Sequence, residues 1–164
     1  MNGDHSATNP GGTGSHGDAT GRRCWLYDPH FLLAALAAVP VWIALGLLVA
    51  DRMHASLTPM ALVSFLALQP VIEELVFRGA LQSYLLDRGW TRHIALISTA
   101  NITTSAAFVS VHLLVQPLGW AVAVAAPSLV FGHLRERFSS VLPAIAMHSI
   151  YNAGFALVVW IVRV

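Results

Sequence analysis

The sequence has no lysine and a single cysteine, and only 10% of its 164 residues are charged. One cysteine, Cys24, excludes an intrachain disulfide. A soluble globular domain carries about a quarter charged residues. A chain with less than half of that and 56% hydrophobic residues is not built for water, so lipid is expected around most of it. A formal net charge of +1 offers nothing to a polyanion, and no nucleic-acid partner is expected. All nine basic residues are arginine. Without lysine, and with abundant alanine, the composition points to a GC-rich bacterial genome and hence to a bacterial plasma membrane. No internal repeat is present, and H-E-x-x-H is absent.

What is present is a set of apolar runs. Residues 1–27, rich in Gly, Ser, Thr and Asp, have too little apolar surface to offset their ordering entropy and are expected to be a disordered tail. Residues 28–164 are expected to form one membrane domain. The run "FLLAALAAVPVWIALGLLVA" (31–50) is long enough to cross about 30 Å of hydrocarbon as a helix. Further runs lie at 59–86, 93–115, 118–133 and 141–162, the fourth being short and interrupted by Pro127 and Gly132. The expected fold is therefore all-α, a polytopic membrane helix bundle of about five transmembrane helices. Arg22, Arg23, Arg88, Arg92, Arg135 and Arg137 then fall on one side, and only Arg52 and Arg163 on the other. That bias places the N-terminus in the cytoplasm and the C-terminus outside.

Several polar groups interrupt these runs. The second span carries Glu73, Glu74 and Arg78, the third His112, and the fifth His148 and Asn152. A charge near the centre of a membrane helix costs about 2.5–3.5 kcal/mol on insertion scales. The groups are thus expected to meet in an inward polar site between the second, third and fifth spans. Glu74 and Arg78 are four apart and share a face, so they can pair. Glu73 is rotated by about 100° from Glu74 and cannot share the same cation. Glu73 is therefore left to take a proton from water. His148 and Asn152, also four apart, aim an imidazole and an amide in one direction, an arrangement suited to an oxyanion. His112 could share water activation with Glu73. Taken singly, each group has a plainer reading: a Glu–Arg pair can fix register, and an intramembrane His or Asn can be an interhelical hydrogen bonder. Thr103, Thr104 and Ser105 are expected to bond back to their own helix. Counted along the runs, His148 lies about a third of the way across and His112 near the far end. Their convergence requires tilt or a different boundary for the third span.

Three motifs in order carry a resemblance. "EELVFRG" fits E-E-x-x-x-R-G, "FVSVH" (108–112) fits F-x-x-x-H, and "HSIYN" (148–152) fits H-x-x-x-N, each in a separate apolar span. Over roughly residues 60–155 the chain resembles the CAAX protease and bacteriocin-processing family of glutamic-type intramembrane endopeptidases. The resemblance implies that Glu73 is the general base and His112 its helper in activating water. Glu74 would be the supporting glutamate braced by Arg78, and His148 and Asn152 the oxyanion donors. It implies hydrolysis of a peptide bond near the C-terminus or a membrane-proximal segment of a protein or peptide, including one with a C-terminal sorting tag. No cofactor is expected. Two His and two Glu could in principle bind zinc, but H-x-x-x-N lacks a second His, so no metal is expected. Two other classes use the same buried groups: a small proton-coupled transporter, against which the missing inverted repeat counts, and a non-catalytic membrane immunity or scaffold protein. The sequence sets no oligomeric state.

Overall fold

The computed structural model describes residues 24–48 and 58–163. Most of the expected N-terminal tail, together with Arg22, Arg23 and Arg52, lies outside the described residues. The end of that stretch is ordered by packing: Trp25–Tyr27 form a 3-10 turn, and the Trp25 ring meets the Phe31 ring edge-on at 4.9 Å.

Among the described residues, six helices and one hairpin follow. Helix α1 is Pro29–Leu48. Helix α2 is Pro59–Asp87, started by the Thr58 hydroxyl, which accepts from the Ala61 N–H. A hairpin pairs β1 (His93–Ile94) with β2 (Ile97–Ser98), with Ala95 in the left-handed region at its turn. Helix α3 is Thr99–His112, capped by the Ser98 hydroxyl on the Asn101 N–H. Helices α4 (Leu118–Ala123) and α5 (Ala125–Phe138) continue one another almost without a break. Helix α6 is Leu142–Ile161.

The protein is an all-α bundle, and among the described residues four stretches are long and apolar enough to cross a membrane: α1, α2, α4 with α5, and α6. The third expected run differs. Its first residues form the hairpin, and α3 has 14 residues, about 21 Å, against about 30 Å of hydrocarbon. The end of the bundle that carries the hairpin is fixed by polar ties. Asp28 takes two bonds from Arg137, at 2.9 and 2.8 Å, and His30 bonds to His133, which bonds to the Leu96 carbonyl. Gln82 donates to the Gly132 carbonyl and to Glu136. Helices α1, α3 and α6 thus start at this end, and α2 and α5 finish there. Among the described residues, successive helices α1, α2, α3, α4 with α5, and α6 alternate in direction.

Small residues set the spacing. A Cβ on Gly154 would lie 2.0 Å from the Trp42 indole, so Gly154 lets α1 lie against α6. A Cβ on Gly132 would lie 2.0 Å from Asn101 Oδ1, so Gly132 lets α3 approach α5. Asn101 donates to the Leu129 carbonyl at 2.9 Å. Ser105 bonds within its own helix, though to a side chain, its hydroxyl donating to Asn101 Oδ1 at 3.2 Å one turn below; the buried Thr104 hydroxyl, against expectation, has no hydrogen-bond partner among the described residues. The apolar core where α1, α5 and α6 meet is Phe31, Phe131, Leu134, Ala144 and Met147. Large apolar residues such as Leu33, Leu36 and Leu47 are exposed, as a lipid-facing surface requires.

A candidate active site between the helices

The local shape of α2 comes first. It contains two π-helical turns, Ser64–Leu68 and Leu75–Gln82, on either side of the two glutamates. Such turns inside α-helices are frequent at functional sites. Pro70 explains part of the first. In the widened register the Gln69 N–H reaches the Ser64 carbonyl. The Phe65 carbonyl would then need the N–H of residue 70, which proline lacks. Asn152 supplies the missing donor, its Nδ2 lying 2.8 Å from the Phe65 oxygen. One N–H of that carboxamide remains for another acceptor.

Glu74 and Arg78 are both fully buried. Arg78 Nη1 donates to Glu74 Oε1 at 3.2 Å. Arg78 Nε and Glu74 Oε2 are also 3.2 Å apart, within ion-pair distance, but their direction is not that of a hydrogen bond. Arg78 Nη2 donates to both the carbonyl and the hydroxyl of Ser128, at 2.8 and 2.6 Å. The guanidinium also lies over the Phe108 ring at 4.8 Å and the Phe131 ring at 5.5 Å. Both terminal nitrogens of this cation are hydrogen-bonded and its charge faces Glu74, while Nε is buried without a hydrogen-bond partner among the described residues.

His148 links the two carboxylates. Its Nδ1 is 2.9 Å from Glu74 Oε1, and its Nε2 is 3.8 Å from Glu73 Oε2. Glu74 is an acceptor, so Nδ1 carries the proton, and Nε2 is turned toward Glu73. The ring plane is set by Phe131, stacked at 4.8 Å and 17°. Glu73 is the open member of the pair, its side chain 30% exposed. The ionisable groups around it are His148, His112, Glu74 and Arg78.

His112, from the end of α3, bonds through Nδ1 to the Phe108 carbonyl at 2.9 Å, leaving Nε2 as an acceptor. Its ring lies 4.3 Å from Phe108, which is 6.3 Å from His148. The difference in depth read from the sequence is met in two ways. Helix α3 starts at Thr99 rather than near residue 93. Helical side chains also lean toward the N-terminus, which brings the His112 ring back to the level of Phe108.

Glu73, Glu74, Arg78, His112 and His148 therefore gather around Phe108 and Phe131, while Asn152 lies one turn beyond His148 and is tied to α2. Among the described residues, no group of three or more His, Cys, Asp or Glu side chains is arranged to hold a metal ion. The two glutamates approach opposite nitrogens of one ring, so the three groups do not converge on a single point.

Sequence reasoning did not find Ser128, Phe131 or the Phe65 carbonyl. Pro70, five residues after Phe65, is a readable signal for the last of these. Ser128 and Phe131 belong to no motif.

The helix bundle sets a buried Glu–Arg pair against an imidazole and a second, more exposed glutamate, acid–base groups of the kind that hydrolysis uses. Comparison with family models matches residues 55–154 to the type II CAAX prenyl endopeptidase Rce1-like family. The chain belongs to that family, and is a multi-pass membrane protein of CAAX-protease type. Neither the curated proteins nor the solved structures give a match.

Proposed function

We propose that the chain is a glutamic-type intramembrane endopeptidase in which Glu73 is the general base. The observation that carries this is the placement of His148, from α6, between Glu74 at 2.9 Å and Glu73 at 3.8 Å. In this reading a water held by Glu73 and the free Nε2 of His112 loses a proton to Glu73, and the resulting hydroxide attacks the peptide carbonyl carbon. The carbonyl π electrons move to oxygen. That oxyanion takes hydrogen bonds from His148 Nε2 and from the remaining N–H of Asn152. For Nε2 to donate while Nδ1 donates to Glu74, the His148 ring carries both protons, with two carboxylates as counter-charge. Collapse of the intermediate breaks the C–N bond, and the proton on Glu73 passes to the leaving amine. Glu74 and Arg78 do not touch substrate; they hold the ring.

The family name points to C-terminal tails as substrates. The arginine-only basic composition points to a bacterial plasma membrane, and so to protein or peptide tails, sorting-tagged ones included, in preference to prenylated ones. By the arginine bias, the hairpin end of the bundle faces the cytoplasm.

The test uses the full chain in proteoliposomes with a library of membrane-anchored peptides, with and without a farnesylated C-terminus, read by mass spectrometry. Wild type is expected to cut a subset and Glu73→Gln none. Cleavage by both removes Glu73 from its role. Cleavage by neither favours a non-catalytic scaffold or a transporter.

A further inference from the structure

We infer that Ser128 is a positioning residue of the site, acting through Arg78 and Glu74 on the orientation of His148 and on the proton at its Nδ1. This rests on the peptidase reading above. Ser128 is fully buried on α5, a helix that contributes none of the proposed catalytic groups. Its hydroxyl and its carbonyl both accept from the same nitrogen, Arg78 Nη2, at 2.6 and 2.8 Å. The opposite edge of that guanidinium faces Glu74 through Nη1 and Nε, each 3.2 Å from a carboxylate oxygen. Glu74 Oε1 in turn holds His148 Nδ1 at 2.9 Å.

Geometry makes this a directed chain. The guanidinium is planar, with its donors in a fixed fork. Pinning Nη2 from α5 therefore sets the rotation of the whole group, and with it where Nη1 and Nε meet Glu74. The single hydrogen bond to Glu74, at 3.2 Å, is long for a charge-assisted bond, which runs at about 2.7–2.9 Å, and the Nε contact is not a hydrogen bond. The Ser128 contacts are the short ones. The carboxylate alone thus does not fix Arg78; the α5 end does. A second grip is on the backbone, where the Arg78 carbonyl accepts from Ser83 Oγ at 3.0 Å and faces Arg135 Nε at 3.4 Å. That grip holds the π turn but leaves the guanidinium free to rotate. With the Ser128 hydroxyl gone, Nη2 keeps only the carbonyl, so the cation is not orphaned but is less fixed. The consequence falls on His148, whose proton on Nδ1 is defined by a well-placed Glu74.

The test compares Ser128→Ala with Ser128→Thr, which keeps the hydroxyl. On the library peptide cut fastest by wild type, Ser128→Ala is expected to lower kcat about tenfold or more, the effect of losing a hydrogen bond to a charged group, with KM within about twofold. Ser128→Thr recovers most of the rate. In a Glu74→Ala background, which leaves no acceptor at position 74 for Arg78 or His148, Ser128→Ala adds little further loss. Independently of turnover, the 15N shifts of the two His148 imidazole nitrogens in detergent show a proton held on Nδ1 in wild type and an exchange-broadened Nδ1 signal in Ser128→Ala. An unchanged His148 spectrum overturns the inference, as does a full additive loss in the Glu74→Ala background. If Glu73→Gln cleaves like wild type, the peptidase mechanism fails, and the 15N spectrum still decides the role of Ser128.

Discussion

Replacing Arg78 with methionine isolates the buried pair. The side chain is fully buried, and so is its partner Glu74. In the variant, Glu74 retains His148 Nδ1 but loses the donor at Nη1 and the opposite charge at Nε. Breaking a buried pair by removing one partner costs about 3–5 kcal/mol. For a chain of this size about 1 kcal/mol shifts Tm by about 2–4 °C, so the expected drop is about 6–20 °C. The double variant Glu74→Gln/Arg78→Met removes both charges and leaves a neutral oxygen for His148. It should recover a large part of that loss, because replacing both members of a buried pair is often close to neutral. Fluorescence-monitored unfolding in detergent, using the native tryptophans, measures both. A drop below about 2 °C for the single variant, or a double variant less stable than the single, would refute the view that these charges hold each other in the membrane.

Asn152→Ala removes the donor to the Phe65 carbonyl. Interhelical hydrogen bonds in membranes are worth about 0.6 and at most about 1.7 kcal/mol, so Tm should fall by about 1–7 °C while turnover falls about 100-fold. Loss of folding instead would make Asn152 a structural clamp alone. Gly154→Val places a branched side chain where Trp42 now packs and should cost about 1–3 kcal/mol through overpacking; adding Trp42→Ala should return part of it, read by the same thermal assay. The Arg137 hydrogen bonds to Asp28, the largest cause, hold the Asp28 carboxyl below the usual carboxylate range. A depressed folded value means the stabilisation is present above about pH 4 and is lost as pH falls through that lower value. Asp28→Asn should thus be slightly less stable than wild type at pH 6, and the gap should close in acid; a gap that grows in acid contradicts the pairing.

How much of this was legible in the residues depends on the kind of physics involved. Apolar runs of about 20 residues report hydrocarbon thickness directly, so α1, α2 and α6 could be placed without a structure. The Glu74–Arg78 pair was readable because both lie on one helix, four residues apart. The third run was misjudged because hydropathy does not separate a short apolar hairpin from the turn of helix that would replace it: Ile94, Leu96 and Ile97 look the same in both. Ser128 escaped for a different reason. Its partner lies 50 residues away on another helix, and a serine in an apolar run carries no sign of what it faces. The target of Asn152 was half visible. Pro70 announces an unpaired carbonyl upstream, but only the π register of α2 shows that it belongs to Phe65.

The two neighbouring glutamates have opposite fates, and helix geometry decides this before chemistry enters. A rotation of about 100° between adjacent residues cannot point both carboxylates at Arg78. Glu74 faces Arg78 and His148 and is fully buried, while Glu73 stays 30% exposed, with the far nitrogen of His148 at 3.8 Å. The structural and chemical burdens of the pair are therefore separable. Glu74→Gln leaves the buried Arg78 without its counter-charge, and its cost should resemble that of Arg78→Met, about 3–5 kcal/mol. Glu73→Gln removes only the longer contact to His148, at 3.8 Å, and should cost less stability than Glu74→Gln does, yet it should abolish cleavage. Paired unfolding and cleavage measurements on the two variants decide the matter. If Glu73→Gln proves the more destabilising, Glu73 holds the fold and the assignment of roles between the two carboxylates is reversed.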